Sequence, residues 1–120
     1  TIKDNVLFGH PAAEQQWSDG DPELKRQLLP VLKDPENYQV GECGGALSGG
    51  EARRIALLRE LYTNHTLLVL DEPTNHLDRT SINLLKRTIA QLKDDKIIII
   101  ISHLDEFDDI ADQTIKFTPC

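Results

Sequence analysis

Along the chain, apolar residues recur at helical spacing in two long stretches and run almost unbroken in two short ones. In "EARRIALLRELY", Ile55, Leu58 and Leu61 with Tyr62 share one face while Arg53, Arg54 and Glu60 fall mostly elsewhere, the pattern of an amphipathic helix. In "RTSINLLKRTIAQLK", Ile82, Leu85, Ile89 and Leu92 repeat in the same way, and Asp78 stands ready as its N-cap. The runs "TLLVLD" and "KIIIIIS" are of buried-strand type, apolar at successive positions. Strand, helix and strand in that order predict a parallel βαβ unit whose sheet is covered on both faces.

Before this regular half the pattern is looser. "TIKDNVLFGH" is a short mixed run, and the Pro and Gly-Asp signals of "PAAEQQWSDGDP" read as a loop or a short helix. "PELKRQLLPVLKD" sets Leu24, Leu28, Leu29 and Leu32 at helical spacing, with Pro30 expected to kink or split the helix. Five glycines between Gly41 and Gly50 make the next stretch a loop. After the second strand, "DEFDDIADQTIKF" suggests a short acidic helix followed by one more strand, with Asp105, Glu106, Asp108, Asp109 and Asp112 as a solvated face.

Composition narrows the class. A hydrophobic content of 39% is ordinary for a globular core, and 13 basic against 20 acidic residues argue against a broad nucleic-acid-binding surface. No apolar stretch approaches the roughly 20 residues of a membrane-spanning helix. Cys43 and Cys120 are the only cysteines, which favours a reduced, intracellular setting over a stapled secreted fold. The histidines show no zinc-ligand spacing with them. Trp17 reads as packing.

Parallel strands deliver the residues beyond their C-terminal ends to one edge, where open α/β sheets bind ligands. Those residues are Asp71, Glu72 and His103. Two adjacent carboxylates there suit metal-phosphate chemistry: Asp71 can hold Mg²⁺, and Glu72 can orient and deprotonate a water. A plain solvated strand end has the same composition. Ser48 and Glu51 match the S-x-x-E capping box, and Gly49 and Gly50 beside them let an anion approach backbone N–H groups. An ordinary capped glycine turn also fits these residues taken alone.

Taken together, "LSGGEARRIALLRELYTNHTLLVLDEPTNHLD" and "IIIIISHLDEF" resemble the nucleotide-binding domain of ABC-family ATPases. "LSGGE" is similar to the signature motif, "LLVLDE" to Walker B with its catalytic glutamate, "TNHLD" to the D-loop and "ISH" to the switch histidine, all in the family's order. The resemblance implies an α/β fold: part of a P-loop NTPase (RecA-like) core with parallel strands, residues 62–120, plus the ABC helical subdomain, residues 1–61. It implies ATP and Mg²⁺ as cofactors, with Asp71 on the metal and Glu72 and His103 catalytic, His103 on the γ-phosphate. Ser48, Gly49, Gly50 and Glu51 would meet a nucleotide held mainly by a second nucleotide-binding domain in a head-to-tail dimer, and Asp78 would link the two sites. Glu51 departs from the glutamine common in exporters and is expected to alter ATP affinity or Mg²⁺ dependence.

The Walker A pattern G-x-x-x-x-G-K-[ST] does not occur in these residues, so the segment alone is expected neither to bind ATP tightly nor to hydrolyse it. The sequence is therefore read as the C-terminal part of a nucleotide-binding domain. "TIKDNVLFG" and "YQVGECGGALSGG" resemble exporter segments, the latter placing Glu42 near the coupling helices of a transmembrane domain. This implies an ATPase powering transport at the cytoplasmic face of the cell membrane. "LSGGEARR" and "DEPTNHLD" also resemble soluble ribosome-associated ABC-F proteins, which stand as the alternative beside a non-catalytic ABC partner module.

Overall fold

The computed structural model describes residues 1–7, 11–29, 34, 37–42, 45–63 and 65–118. Among these residues five helices and two strands follow in the order α1 (Ile2–Leu7), α2 (Pro11–Asp19), α3 (Pro22–Leu28), α4 (Gly49–Tyr62), β1 (Leu67–Asp71), α5 (Arg79–Leu92) and β2 (Ile97–Ile101). The run read as mixed at the N-terminus is helical. Thr1 caps it, its hydroxyl oxygen accepting the Asp4 N–H at 3.1 Å. The segment open between loop and helix is α2, and α3 ends at Leu28; Pro30 and Leu32 lie outside the described residues.

Asp21 opens α3 by accepting the N–H groups of Glu23 and Leu24, with Pro22 at the first helical position. The same carboxylate takes an ion pair at 2.5 Å from Arg87 on α5, so one residue caps a helix and ties it to another 66 positions away. That bond holds the Asp21 carboxyl below the usual carboxylate range.

α4 is the central helix. It packs against α1, α2, α3 and β1. Its arginines bond to carbonyls of its neighbours: Arg54 Nε to Leu28 at the end of α3 (3.2 Å) and Arg59 Nε to Asn5 in α1 (2.7 Å). Between the helices Ile2, Leu24, Leu28, Leu58, Leu61 and Leu85 are almost wholly buried, and one apolar cluster runs from Ile2 through to Phe107. Trp17, read as packing, is buried edge-on to Tyr62 with ring centroids 5.4 Å apart.

β1 and β2 pair in parallel, Leu67 opposite Ile97 through Asp71 opposite Ile101. The expected cover on both faces does not form among the described residues. The sheet is covered on one face only: Leu68 and Leu70 are buried, whereas Leu67, Val69, Ile97, Ile99 and Ile101 are about half exposed or more. Successive side chains point to opposite faces, and among the described residues the helices supply one covering layer.

The segment after β2 also departs from its expected form. Residues 103–110 form bends and turns rather than a helix, and 113–118 form no strand, with Ile115 and Phe117 exposed. Nor is the acidic run simply solvated. Glu106, Asp109 and Asp112 pair with Arg79 (2.9 Å), Lys86 (2.7 Å) and Lys93 (3.1 Å), cations seven residues apart along α5 and its C-cap. Phe107 is buried beneath them. Ionic docking on α5 supplies partners that an isolated acidic helix would lack.

Candidate functional site

The site is assembled where β1 and β2 end. Asp71 is the last residue of β1 and is exposed, and the Glu72 N–H extends the ladder by donating to the Ile101 carbonyl at 2.8 Å. Glu72 then takes φ 48°, a left-handed backbone unusual for a residue with a Cβ. The chain turns sharply, with Asn75 N–H donating to the Glu72 carbonyl at 3.2 Å and His76 also left-handed at φ 65°. Pro73 and Thr74 are buried beneath the turn.

His103 lies two residues past Ile101, beside Glu72. Its Nδ1 is 2.8 Å from Glu72 Oε1. An ionised carboxylate only accepts, so with Glu72 charged the imidazole donates from Nδ1 and Nε2 is left outside this bond. The Glu72 side chain is one-quarter exposed and that of His103 about two-thirds, at 25% and 68%. The second oxygen, Glu72 Oε2, is shielded from solvent and has no hydrogen-bond partner among the described residues. A buried acceptor without a donor is uncommon, and it marks this carboxylate as a group whose second oxygen is not committed to holding the fold.

Ser48 N-caps α4 as the capping box requires: its hydroxyl accepts the Glu51 N–H at 3.2 Å, and Glu51 Oε2 accepts the Ser48 N–H at 2.8 Å. The Ser48 N–H foremost, and the Ser48 hydroxyl after it, hold the Glu51 carboxyl below its ordinary range. A Cβ added at Gly49 would meet nothing within 4 Å, and one at Gly50 only Arg54 Nη1 at 3.7 Å. Neither glycine has a positive φ, so no internal contact or left-handed backbone requires them. The open space above them suits close approach from outside the chain.

Asp78 caps α5 by accepting the Ser81 N–H at 2.8 Å, and bonding to Ser81 holds its carboxyl low. Glu72 and His103 thus meet at the strand ends, with Asp71 next to Glu72 in the chain, while Ser48, Gly49, Gly50 and Glu51 stand at the N-terminus of α4 and Asp78 at that of α5. No group of three or more His, Cys, Asp or Glu able to hold a metal occurs among the described residues. Mg²⁺ takes one or two protein carboxylates and completes its shell with water and phosphate oxygens, and exposed Asp71 fits that donor set.

One site residue was not foreseen. Arg53, on the outer face of α4, donates from Nη2 to the carbonyls of Asp71 (3.3 Å) and Glu72 (3.2 Å). Its partners lie 18 and 19 positions away, so no local spacing signals the contact.

Parallel strands with a carboxylate pair and a histidine at one edge, served by a glycine-opened helix, define an α/β fold segment of the P-loop NTPase class. A family model described as ABC transporter matches residues 2–75. The chain belongs to the ABC transporter family, as a segment of an exporter-type nucleotide-binding domain.

The chain is 37% identical over 105 residues to the Bacillus subtilis (strain 168) glutathione/L-cysteine transport system ATP-binding/permease protein CydC, covering 86% of this chain and 18% of that protein. It is 34% identical over 105 residues to the Escherichia coli O157:H7 alpha-hemolysin translocation ATP-binding protein HlyB, covering 86% of this chain and 15% of that one. A solved bacterial Atm1-family ABC exporter with ATP bound superposes with a TM-score of 0.67 at 29% identity, over 93% of this chain and 20% of that one. The chain therefore spans less than a fifth of the length of these two curated relatives.

Proposed function

We propose that the complete protein is an ABC exporter subunit that hydrolyses ATP, with Mg²⁺, to power transport, and that Glu72 is its water-activating carboxylate. The observation that carries this reading is the 2.8 Å contact between His103 and Glu72 at the ends of neighbouring parallel strands, with Glu72 Oε2 without a partner among the described residues. Glu72 orients and deprotonates the attacking water while His103, anchored through Nδ1, reaches the γ-phosphate through its other ring nitrogen. Asp71 holds Mg²⁺, which neutralises charge on the phosphates when bound. Ser48, Gly49 and Gly50 take the γ-phosphate of a nucleotide bound by a second nucleotide-binding domain, head to tail. Glu51 keeps the helix capped beside it, and Asp78 links the two sites.

Residues 1–61 serve as the helical subdomain, facing a transmembrane domain, and residues 62–120 as part of the ATPase core at the cytoplasmic face. The half-exposed apolar face of β1 and β2 supports a larger core, since a hydrophobic strand face of this kind is normally covered. These residues contain no Walker A loop, and alone they are expected to be inactive.

Glu72→Gln in the full-length protein tests the reading. ATP binding and nucleotide-driven dimer closure should persist while turnover collapses, because binding and water activation rest on different residues. Normal ATPase activity in that variant contradicts the role given to Glu72.

A further inference from the structure

Glu72 is held from several directions. Its N–H is tied to Ile101 and its Oε1 to His103, both contributed by β2 and the residues after it. Its carbonyl accepts the Asn75 N–H within the turn itself. The remaining restraint comes from α4: Arg53 Nη2 reaches the carbonyls of both Asp71 and Glu72. Those carbonyls belong to the two peptide planes that flank the Glu72 Cα. Fastening both planes restrains φ and ψ at that carbon, and with them the direction of the Cα–Cβ bond.

That restraint bears on an unfavourable conformation. At φ 48° the Glu72 backbone sits in a region a side-chain-bearing residue keeps only where its surroundings hold it. Arg53 lies one turn into the helix opened by Ser48, Gly49 and Gly50, so the same rigid element carries the glycine-opened end and the guanidinium that grips the strand end. Both bonds leave the same nitrogen, whose two N–H groups can serve two neighbouring carbonyls.

We propose that Arg53 is a positioning residue for ATP hydrolysis, setting the Glu72 carboxylate by clamping its two flanking peptides to α4. This rests on the reading of Glu72 as the water-activating carboxylate. Arg53 is exposed, so shortening it leaves the apolar core untouched and its effect falls on geometry. Misplacing a reacting group by about 1 Å can lower a rate roughly a hundredfold.

The test uses the full-length protein with Arg53→Ala, Arg53→Lys, Glu72→Gln and the double variant Arg53→Ala/Glu72→Gln, measuring kcat and KM for ATP. Arg53→Ala should lower kcat roughly ten- to a hundredfold with KM nearly unchanged, and Arg53→Lys, which keeps a donor, should recover much of the loss. The double variant should be no slower than Glu72→Gln alone, because Arg53 acts through Glu72. Unchanged kcat in Arg53→Ala beside a collapsed Glu72→Gln overturns the inference and leaves the role of Glu72 standing. A rise in KM without loss of kcat, or losses that multiply in the double variant, also overturns it. Normal turnover by Glu72→Gln overturns both.

Discussion

Replacing Phe107 with alanine asks what holds the segment after β2 against α5. Two kinds of force act there: burial of the Phe107 ring, which is 6% exposed and part of the main apolar cluster, and the three ion pairs of Glu106, Asp109 and Asp112 with Arg79, Lys86 and Lys93. Removing a buried phenylalanine side chain costs about 3–5 kcal/mol. Asp109, Asp112 and Arg79 are 65%, 81% and 71% exposed, so each of the three pairs has one member in water, is screened by salt and contributes far less. Ring burial therefore dominates, and the ion pairs set where along α5 the segment lies.

The Ile110 and Ala111 amides, both donating to the Phe107 carbonyl, report on docking by hydrogen exchange in the full-length protein. If the lost burial appears as local opening, Phe107→Ala should speed their exchange by roughly a hundred- to a few-thousand-fold, with the β1 and β2 amides little changed. Lys86→Gln should have a much smaller effect, one that shrinks as salt is raised. Equal acceleration by Lys86→Gln, or unchanged exchange in Phe107→Ala, would refute the reasoning.

Tyr62 Oη is buried without a hydrogen-bond partner among the described residues, and burial raises its pKa to about 12. Tyr62→Phe removes that unpaired hydroxyl and keeps the ring on Trp17, so denaturant unfolding should show unchanged stability or a gain of about 1 kcal/mol; a loss of 2 kcal/mol or more would point to a partner for the hydroxyl. The Asp78 carboxyl is held low by Ser81, so its folded pKa lies below its unfolded one. Its contribution to stability is complete above the unfolded value, at about pH 4, and fades as pH falls through the folded value. Asp78→Asn, which keeps a capping oxygen, should match the parent near neutrality and lose less stability on acidification, as thermal melts from pH 6 to pH 3 would show.

Where an interaction closes within a few residues, the chain itself determined the outcome. The apolar stripe of α4, the Ser48–Glu51 box and the Asp78 cap were legible because partners and period lie within one or two turns. Two apolar strands joined through a helix prescribed parallel pairing, and parallel pairing brought Glu72 and His103 to one edge. Tertiary structure alone decided which strand face is covered, that the acidic run lies ion-paired on α5 instead of forming a helix, and that Asp21 meets Arg87. It alone carried Arg53 to the carbonyls of Asp71 and Glu72. Local spacing carries no record of such contacts, because a long charged side chain on a helix surface takes its partner from whatever element the packing of the core sets beside it.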